Sequence, residues 1–228
     1  MKKKKEGKME EKVLEFLPFW SNLSINQKEK LIQGSRKVSY KAGDLIYSPA
    51  KDCLGMLFVQ EGVLHTYLMS EDDRRVNIFR LRDGDVSILS MSCIFPTITF
   101  DVEIEAETDC QVLLLPTSVL ASLRKENIYV ENYMYKIITE TFSSAIEVMK
   151  QFMFLTLEQR VATFLIDESV AQKTLEIKTT QEKLANTIGS AREAVARVLK
   201  PLAAKGIIKI HRGCISIEKK CELYHIIQ

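Results

Sequence analysis

The chain has 228 residues, 46% of them hydrophobic, which is enough for two modest domains that each bury their own core. Its net charge of +2 conceals an asymmetry, because residues 173–220 carry a net charge of +7 and residues 9–172 carry −8. A basic segment beside an acidic one is typical of a polyanion-binding module joined to a domain with another task. No apolar run reaches the length of about 18 residues that a membrane span needs, so we expect a cytoplasmic protein with no membrane partner.

The N-terminal half of the sequence changes from charged to helical to β-rich. Residues 1–10 form a lysine-rich tail that we expect to be disordered. Apolar positions within residues 11–35 fit short helices. From about residue 38 to 116, short runs rich in β-branched and aromatic residues alternate with turn signals. Many short strands at this spacing predict an antiparallel barrel or jelly roll, which we assign to residues 11–118.

A long helix is predicted over residues 128–154, within a segment that we assign to 119–155. At 1.5 Å per residue it would be about 40 Å long, too long for one small barrel to cover. Its apolar residues form two stripes, and we predict that one packs on the barrel and the other on a second copy of the chain. The alternative is that both stripes lie in the core of one subunit. The first stripe contains Val130, Met134, Ile137, Thr141, Val148 and Leu155, and the second contains Ile138, Phe142, Ala145, Met149 and Phe152.

The pattern over residues 156–228 predicts a winged helix-turn-helix. A helix over residues 157–168 and a short strand over 175–178 precede two short helices that meet at Gly189. After Lys205-Gly206, the runs IIKIH and CISI alternate on either side of a glycine at residue 213, which predicts a tight hairpin. Two short helices followed by a hairpin make up a helix-turn-helix with a wing.

Both short helices carry start signals. Thr179 and Ser190 are each followed three residues later by Glu, which is the spacing of a capping box. Pro201 predicts that the second helix ends or bends near residue 200, because the residue before a proline is pushed away from helical angles. The five cysteines form no CxxC pair and no zinc-binding spacing, so we expect reduced thiols and no metal site.

The sequence resembles the Crp/Fnr family of bacterial transcription regulators over residues 11–220. KAGDLIYSPAKDCLGMLFVQEGVLHTYL is similar to the family's barrel opening, FLTLEQRVATFLID to its hinge and first DNA-domain helix, and SAREAVARVLK to its recognition helix. The resemblance implies a homodimer in which a small-molecule or redox signal at the barrel reorients two winged helices on DNA. It also implies RNA polymerase as a partner if the protein is an activator. We therefore expect an α+β protein with an N-terminal antiparallel β jelly-roll barrel, a long dimerisation helix and a C-terminal winged helix-turn-helix over residues 156–228.

The sensor residues of the family's cyclic-AMP-responsive members are not matched. In those members a Glu binds the ribose and an Arg binds the cyclic phosphate, and the matching positions here hold Leu89 and Phe100. Burying a cyclic phosphate without a cation costs several kcal/mol. We therefore predict an apolar or weakly polar effector, or none, and leave the effector and any cofactor unknown. The candidate pocket residues are Ile88, Leu89, Phe100, Ser143 and Ser144.

Other sensor and enzyme chemistries have less support. An iron–sulfur cluster normally needs four thiolates, and no cysteine precedes Cys53. Haem stays open, through His65 or Cys93. A metal-dependent oxygenase needs a His/His/carboxylate site, and His65 is the one histidine of the predicted barrel, so we expect no enzyme. A constitutive DNA-binding protein whose barrel senses nothing also stays open.

The recognition helix is expected to enter the major groove of double-stranded DNA. Arg192 and Arg197 lie about 140° apart around the helix, so both can read guanine through O6 and N7, while Glu193 can accept from a cytosine amino group. This R-E-x-x-x-R arrangement matches family members that read a TGTGA-like half-site, so we predict a palindromic operator with guanines in each half. Glu193 could instead be committed to a capping box with Ser190. Candidate contacts to the DNA backbone are Thr180, Gln181, Ser190, Lys200, Lys209, His211 and Arg212.

Overall fold

The computed structural model describes residues 13–50, 52–69, 75–94 and 102–228. The chain divides into two compact units. The first comprises Met1–Leu68 and Ile78–Ser144, and the second comprises Met69–Asn77 and Ala145–Gln228.

Two antiparallel four-stranded sheets form the body of the first unit, with strand orders β1-β8-β3-β6 and β2-β7-β4-β5. This arrangement confirms the jelly roll, but in the described residues the sheets do not join into a closed barrel. The bounds are β1 (Arg36–Tyr40), β2 (Leu45–Tyr47), β3 (Gly55–Glu61), β4 (Leu64–Met69), β5 (Arg75–Leu81), β6 (Val86–Ser87), β7 (Glu103–Ala106) and β8 (Cys110–Pro116).

Alternation along the strands divides the apolar residues of the first unit between two cores. Leu57 and Leu114 pair across β3 and β8 and face a core shared with Leu64 and Ile104 of the other sheet. The opposite face of β8, which includes Leu113, packs against helices. These helices are α1 (Ile25–Gly34), α2 (Thr117–Glu126) and α3 (Ile128–Phe154), together with a 3₁₀ turn over Trp20–Asn22.

Helix α3 has the predicted limits and packs one stripe on the first unit. Val130 and Met134 are fully buried there, with Ile137 and Ile138 packed beside them. The part of the prediction that one stripe packs on the β-rich unit is confirmed. Ile138, a member of the second predicted stripe, packs in the same core as Ile137 of the first stripe.

The second unit packs four helices and a small sheet around one core. Its helices are α4 (Leu157–Ala171), α5 (Gln181–Thr187), α6 (Arg192–Ala204) and α7 (Lys220–Ile227), and its sheet has the order β10-β11-β9. The strands are β9 (Glu176–Ile177), β10 (Ile208–His211) and β11 (Cys214–Ile217), so the predicted hairpin is confirmed. Helix α7 has no counterpart in the sequence prediction, and its Leu223 is fully buried in the core of this unit.

Candidate nucleic-acid interface

Helix α5 begins one residue later than predicted. Thr180, in an extended conformation, accepts a hydrogen bond from the backbone N–H of Lys183 at 3.0 Å and is the N-cap. Thr179 is buried, and its hydroxyl donates to the carbonyl of Thr180 at 3.3 Å. The predicted capping box at Thr179 is therefore wrong. The Thr179 side chain is buried, and its hydroxyl bonds to a carbonyl oxygen and does not cap the helix.

The turn between α5 and α6 is a Schellman motif centred on Gly189. Gly189 has a φ of +61°, which favours glycine. The N–H of Ser190 donates to the carbonyl of Ala185 at 2.9 Å, and the N–H of Gly189 donates to Asn186 at 3.4 Å. The backbone of Ser190 therefore closes α5 and does not open α6.

Helix α6 is left without a side-chain cap as a result. Its N-cap is Ala191, which makes no side-chain hydrogen bond, so the predicted capping box of Ser190 with Glu193 is wrong. Glu193 has no capping role and lies exposed in the first turn of α6. The alternative to base reading that the sequence left open for Glu193 is thus removed.

One face of α6 is buried and the other is exposed and charged. Val195, Leu199 and Leu202 are fully buried in the core of the second unit. Arg192, Glu193, Arg197 and Lys200 are exposed, with Arg192 one turn before the buried Val195. The three predicted base readers are therefore all accessible within an arc of about 140° of the helix surface, as a major-groove reader requires.

Helix α6 does not end near Lys200, which was one of the two outcomes predicted from Pro201. Helix α6 continues to Ala204, and the N–H of Lys205 donates to the carbonyl of Pro201 at 3.0 Å. Proline removes one hydrogen bond from the helix interior. Leu199 and Leu202, both fully buried on either side of Pro201, hold the chain in the helix across that gap.

A cleft of about 350 Å³ lies between the start of α5, the start of α6 and the wing. It brings together four residues that the sequence proposed separately as DNA contacts, namely Thr180, Gln181, Arg192 and His211. Glu182 also lines it. The side chains of Thr180, Gln181 and His211 around one cleft can contact a phosphate oxygen beside the base-reading Arg192.

The other predicted backbone contacts lie outside this cleft. Arg212 is exposed at the tip of the wing, and Lys200 is exposed on α6. Lys209 forms an ion pair with Glu218 at 3.1 Å, so part of its charge is already neutralised. Ser190 is half-buried in the turn.

The predicted effector residues that the structure describes lie in different surroundings. Ile88 and Leu89 are buried in two different cores and are not among the residues that line the 420 Å³ cavity of the first unit. Ser144 does line this cavity of about 420 Å³, while Ser143 is exposed and does not line it. Phe100 lies outside the described residues.

The lining of this 420 Å³ cavity comes from two elements that the sequence did not connect. Strand β5 and the turn after it form one wall, and the middle of α3 forms the other. The apolar part includes Phe79, Leu81 and Ile137. Alternation of Phe79 and Leu81 on β5 was the available signal for this wall, but a wall from α3 cannot be found by local periodicity. The polar lining residues are Arg80, Asp85, Ser87, Tyr133, Lys136, Glu140, Thr141 and Ser144.

The charges in the cavity are balanced. Arg80 forms a nearly buried ion pair with Glu107, with 2.8 Å between Nε and Oε2 and side-chain exposures of 11% and 13%. Lys136 lies 3.7 Å from Glu140 in an exposed pair. Burial, with a smaller contribution from Glu140, raises the pKa of Tyr133 to about 12, so its hydroxyl is protonated at neutral pH.

The described cysteines are not all in the same oxidation state. Cys110, Cys214 and Cys221 are free, whereas Cys53 is disulfide-bonded, which corrects the expectation of a reduced thiol there. In the described part of the chain, His, Cys, Asp and Glu residues form no group that could hold a metal ion. None of the helices described is both long enough and apolar enough to cross a bilayer.

Comparisons with known proteins agree with this architecture. A model of the cyclic nucleotide-binding domain matches residues 37–127, and a model of the Crp-like helix-turn-helix domain matches residues 159–226. A solved transcriptional regulator of the Crp/Fnr family from Eubacterium rectale is 34% identical, with 93% of this chain and 99% of that chain covered and a TM-score of 0.90. The chain belongs to the Crp/Fnr family. A search of the curated proteins found no match.

Two more distant solved structures share the fold. FixK2 from Bradyrhizobium japonicum is 20% identical, covers 85% of this chain and 98% of its own, and has a TM-score of 0.67. The c-di-GMP-responsive global regulator CLP from Xanthomonas campestris is 17% identical, covers 85% of this chain and 99% of its own, and has a TM-score of 0.71. The chain is thus a Crp/Fnr-type transcription regulator with a cyclic nucleotide-binding-like domain and a DNA-binding helix-turn-helix.

Proposed function

We propose that this regulator is a homodimer that binds a palindromic operator, with Arg192, Glu193 and Arg197 reading the bases of each half-site. The observation that carries the proposal is the single exposed face of α6 that presents all three side chains. Each guanidinium can pair with guanine O6 and N7, and the carboxylate can accept from cytosine N4. This function places the protein in the cytoplasm with the DNA that it reads, and with RNA polymerase as a partner if it activates transcription.

The dimer is supported by an apolar seam on α3 that its own unit does not cover. Tyr135, Phe142, Ile146, Met149 and Met153 follow steps of three and four residues when Thr139 is included between the first two. Phe142, Met149 and Met153 are 64%, 54% and 69% exposed. A seam at this heptad-like spacing packs well against a copy of itself in a coiled coil. A partner subunit is the occupant that matches both the length and the repeat of the seam.

Selection from a pool of random double-stranded DNA with the full-length protein tests this proposal. We expect enrichment of a two-fold symmetric sequence with guanine in each half, bound by two copies of the chain. Enrichment of an asymmetric sequence, or binding by one copy, would contradict the dimeric reader. Measuring the stoichiometry by sedimentation of the complex separates these outcomes.

We also propose that the cavity between β5 and α3 holds the effector, and that the effector is an uncharged, weakly polar small molecule. Arg80 is already neutralised by Glu107, so its charge is not available to a phosphate. Asp85 adds negative charge to the lining, and Lys136 and Glu140, which lie 3.7 Å apart, offset each other. An anionic ligand would therefore lose its hydration against described lining residues that carry no net positive charge.

Calorimetric titration with cyclic AMP and cyclic GMP tests the exclusion of cyclic nucleotides. We expect no heat of binding at millimolar ligand, while native mass spectrometry of the purified dimer identifies any retained neutral compound. Micromolar binding of either nucleotide would refute the assignment of the ligand class. It would leave the DNA-binding role intact.

A further inference from the structure

The last turn of α3 packs against the turn that precedes the recognition helix. A Cβ atom placed on Gly189 would lie 2.6 Å from Cζ and 2.7 Å from Cε1 of Phe152. Carbon atoms repel strongly at that separation. The ring of Phe152 therefore occupies the space that glycine leaves open, and it lies directly against the backbone of the turn.

Arg160, in α4, completes this contact from a third element. Its guanidinium carbon is 4.9 Å from the centroid of the Phe152 ring, and Nη1 donates to the carbonyl of Ile188 at 2.9 Å. Burial lowers the pKa of Arg160, although the side chain stays charged at any physiological pH. The aromatic ring and the carbonyl together hold the guanidinium in place, the first through a cation–π contact and the second through a hydrogen bond.

Phe152 differs in its environment from the two residues that follow it on α3. Phe152, a member of the second predicted stripe of α3, lies against Gly189. Met153 and Phe154, the next two residues, are 69% and 74% exposed. Packing at the end of α3 is thus specific to one aromatic ring and is not a general collapse of the helix end.

We propose that Phe152, Arg160, Ile188 and Gly189 form a latch that fixes the direction of α6 relative to the end of α3 and so sets the spacing between half-sites. The latch goes beyond the proposed function and rests on its dimer. Helix α6 starts at Arg192, three residues after Gly189, so a turn held on α3 carries the helix with it. In a dimer joined through α3, that direction determines the distance between the two recognition helices.

Operators of altered spacing test the latch. The selected palindrome is synthesised with its native spacer and with one base pair added or removed, and the affinity of the full-length dimer is measured by fluorescence anisotropy. Wild type should prefer the native spacer strongly. Phe152→Ala and Arg160→Met should bind the native operator about tenfold more weakly and lose most of their discrimination between spacers. Phe154→Ala, an aromatic truncation in the same turn, should behave as wild type.

A purely structural role for these residues would give a different result. Thermal stability would fall, but the ratio of affinities between native and altered spacers would stay at the wild-type value, and that outcome would overturn the latch. Base preference within each half-site should be unchanged in the latch variants, because the reading face of α6 is not altered.

A double-mutant cycle in urea unfolding tests the contact without DNA. Gly189→Ala should destabilise the wild type through both the positive φ and the clash with the ring, and destabilise the Phe152→Ala variant through the φ alone. Additive effects would show that the ring does not lie on the turn in solution and would refute the latch. If the wild type selects no palindrome while the cycle shows coupling, the dimeric reader fails, and the spacing role fails with it.

Discussion

Truncating Arg192 should remove specific binding while leaving the folded protein intact. Arg192 is exposed, and within the described chain it makes no hydrogen bond or ion pair, so Arg192→Ala should change the free energy of unfolding by less than about 0.5 kcal/mol. On the operator, loss of a paired contact to guanine costs about 1–3 kcal/mol per half-site. A dimer carries the change twice, so we expect a loss of about 2–6 kcal/mol, or roughly 30-fold to 10⁴-fold in affinity.

The assay is fluorescence anisotropy with the selected operator and with a random duplex of the same length, at several salt concentrations. Arg192→Ala should weaken binding to the operator far more than to the random duplex, and should relax preference at one symmetric pair of positions. Arg212→Ala, at the exposed tip of the wing, is the matched control. It should weaken both duplexes alike and reduce the salt dependence of binding. Equal loss on both duplexes with Arg192→Ala would refute its role as a base reader.

Three further predictions concern the dimer, the cavity and the recognition helix. Phe142→Asp should place a charge in the exposed seam of α3 and give a monomer by sedimentation velocity. The control Lys150→Ala, on the same helix, should stay dimeric. An unchanged dimer with Phe142→Asp would contradict the role of the seam in dimerisation. Glu107→Gln should lower the free energy of unfolding by about 3 kcal/mol, because it removes the carboxylate that neutralises the nearly buried charge of Arg80. A loss below about 0.5 kcal/mol in urea unfolding would show that the pair is open to solvent. Pro201→Ala should raise the melting temperature, with a gain of about 1–3 kcal/mol, since a helix-forming residue with an N–H replaces the proline inside α6. A lower melting temperature would contradict the continuous helix.

The regular elements of the fold were predictable because local periodicity specifies them. The limits of α3 follow from the stripe that Val130 and Met134 begin, and the wing follows from alternation on either side of Gly213. Helix ends were less predictable. Thr179 and Ser190 both have a side chain that is typical of an N-cap, yet each helix starts one residue later than predicted. Tertiary packing buries Thr179, and the backbone of Ser190 is used in the Schellman motif that ends α5.

The two candidate sites differ in how far the sequence could predict them. Arg192, Glu193 and Arg197 lie on one short helix, so their shared face follows from helical geometry alone. The cavity wall formed by Phe79 and Ile137 joins residues far apart in the chain, and only the folded unit brings them together. The sequence prediction chose pocket residues by their position relative to a family motif. Two of these residues, Ile88 and Leu89, are buried in the core.

Methylation interference at guanine N7 tests the central claim most directly. The arginine readers bond to N7 in the major groove, so a methyl group there blocks the contact without changing Watson–Crick pairing. We predict strong interference at symmetric guanines in both half-sites with the wild-type protein, and loss of the interference at one symmetric pair with Arg192→Ala. If the wild-type protein bound operators methylated at every half-site guanine as tightly as unmethylated ones, base reading by α6 would be contradicted.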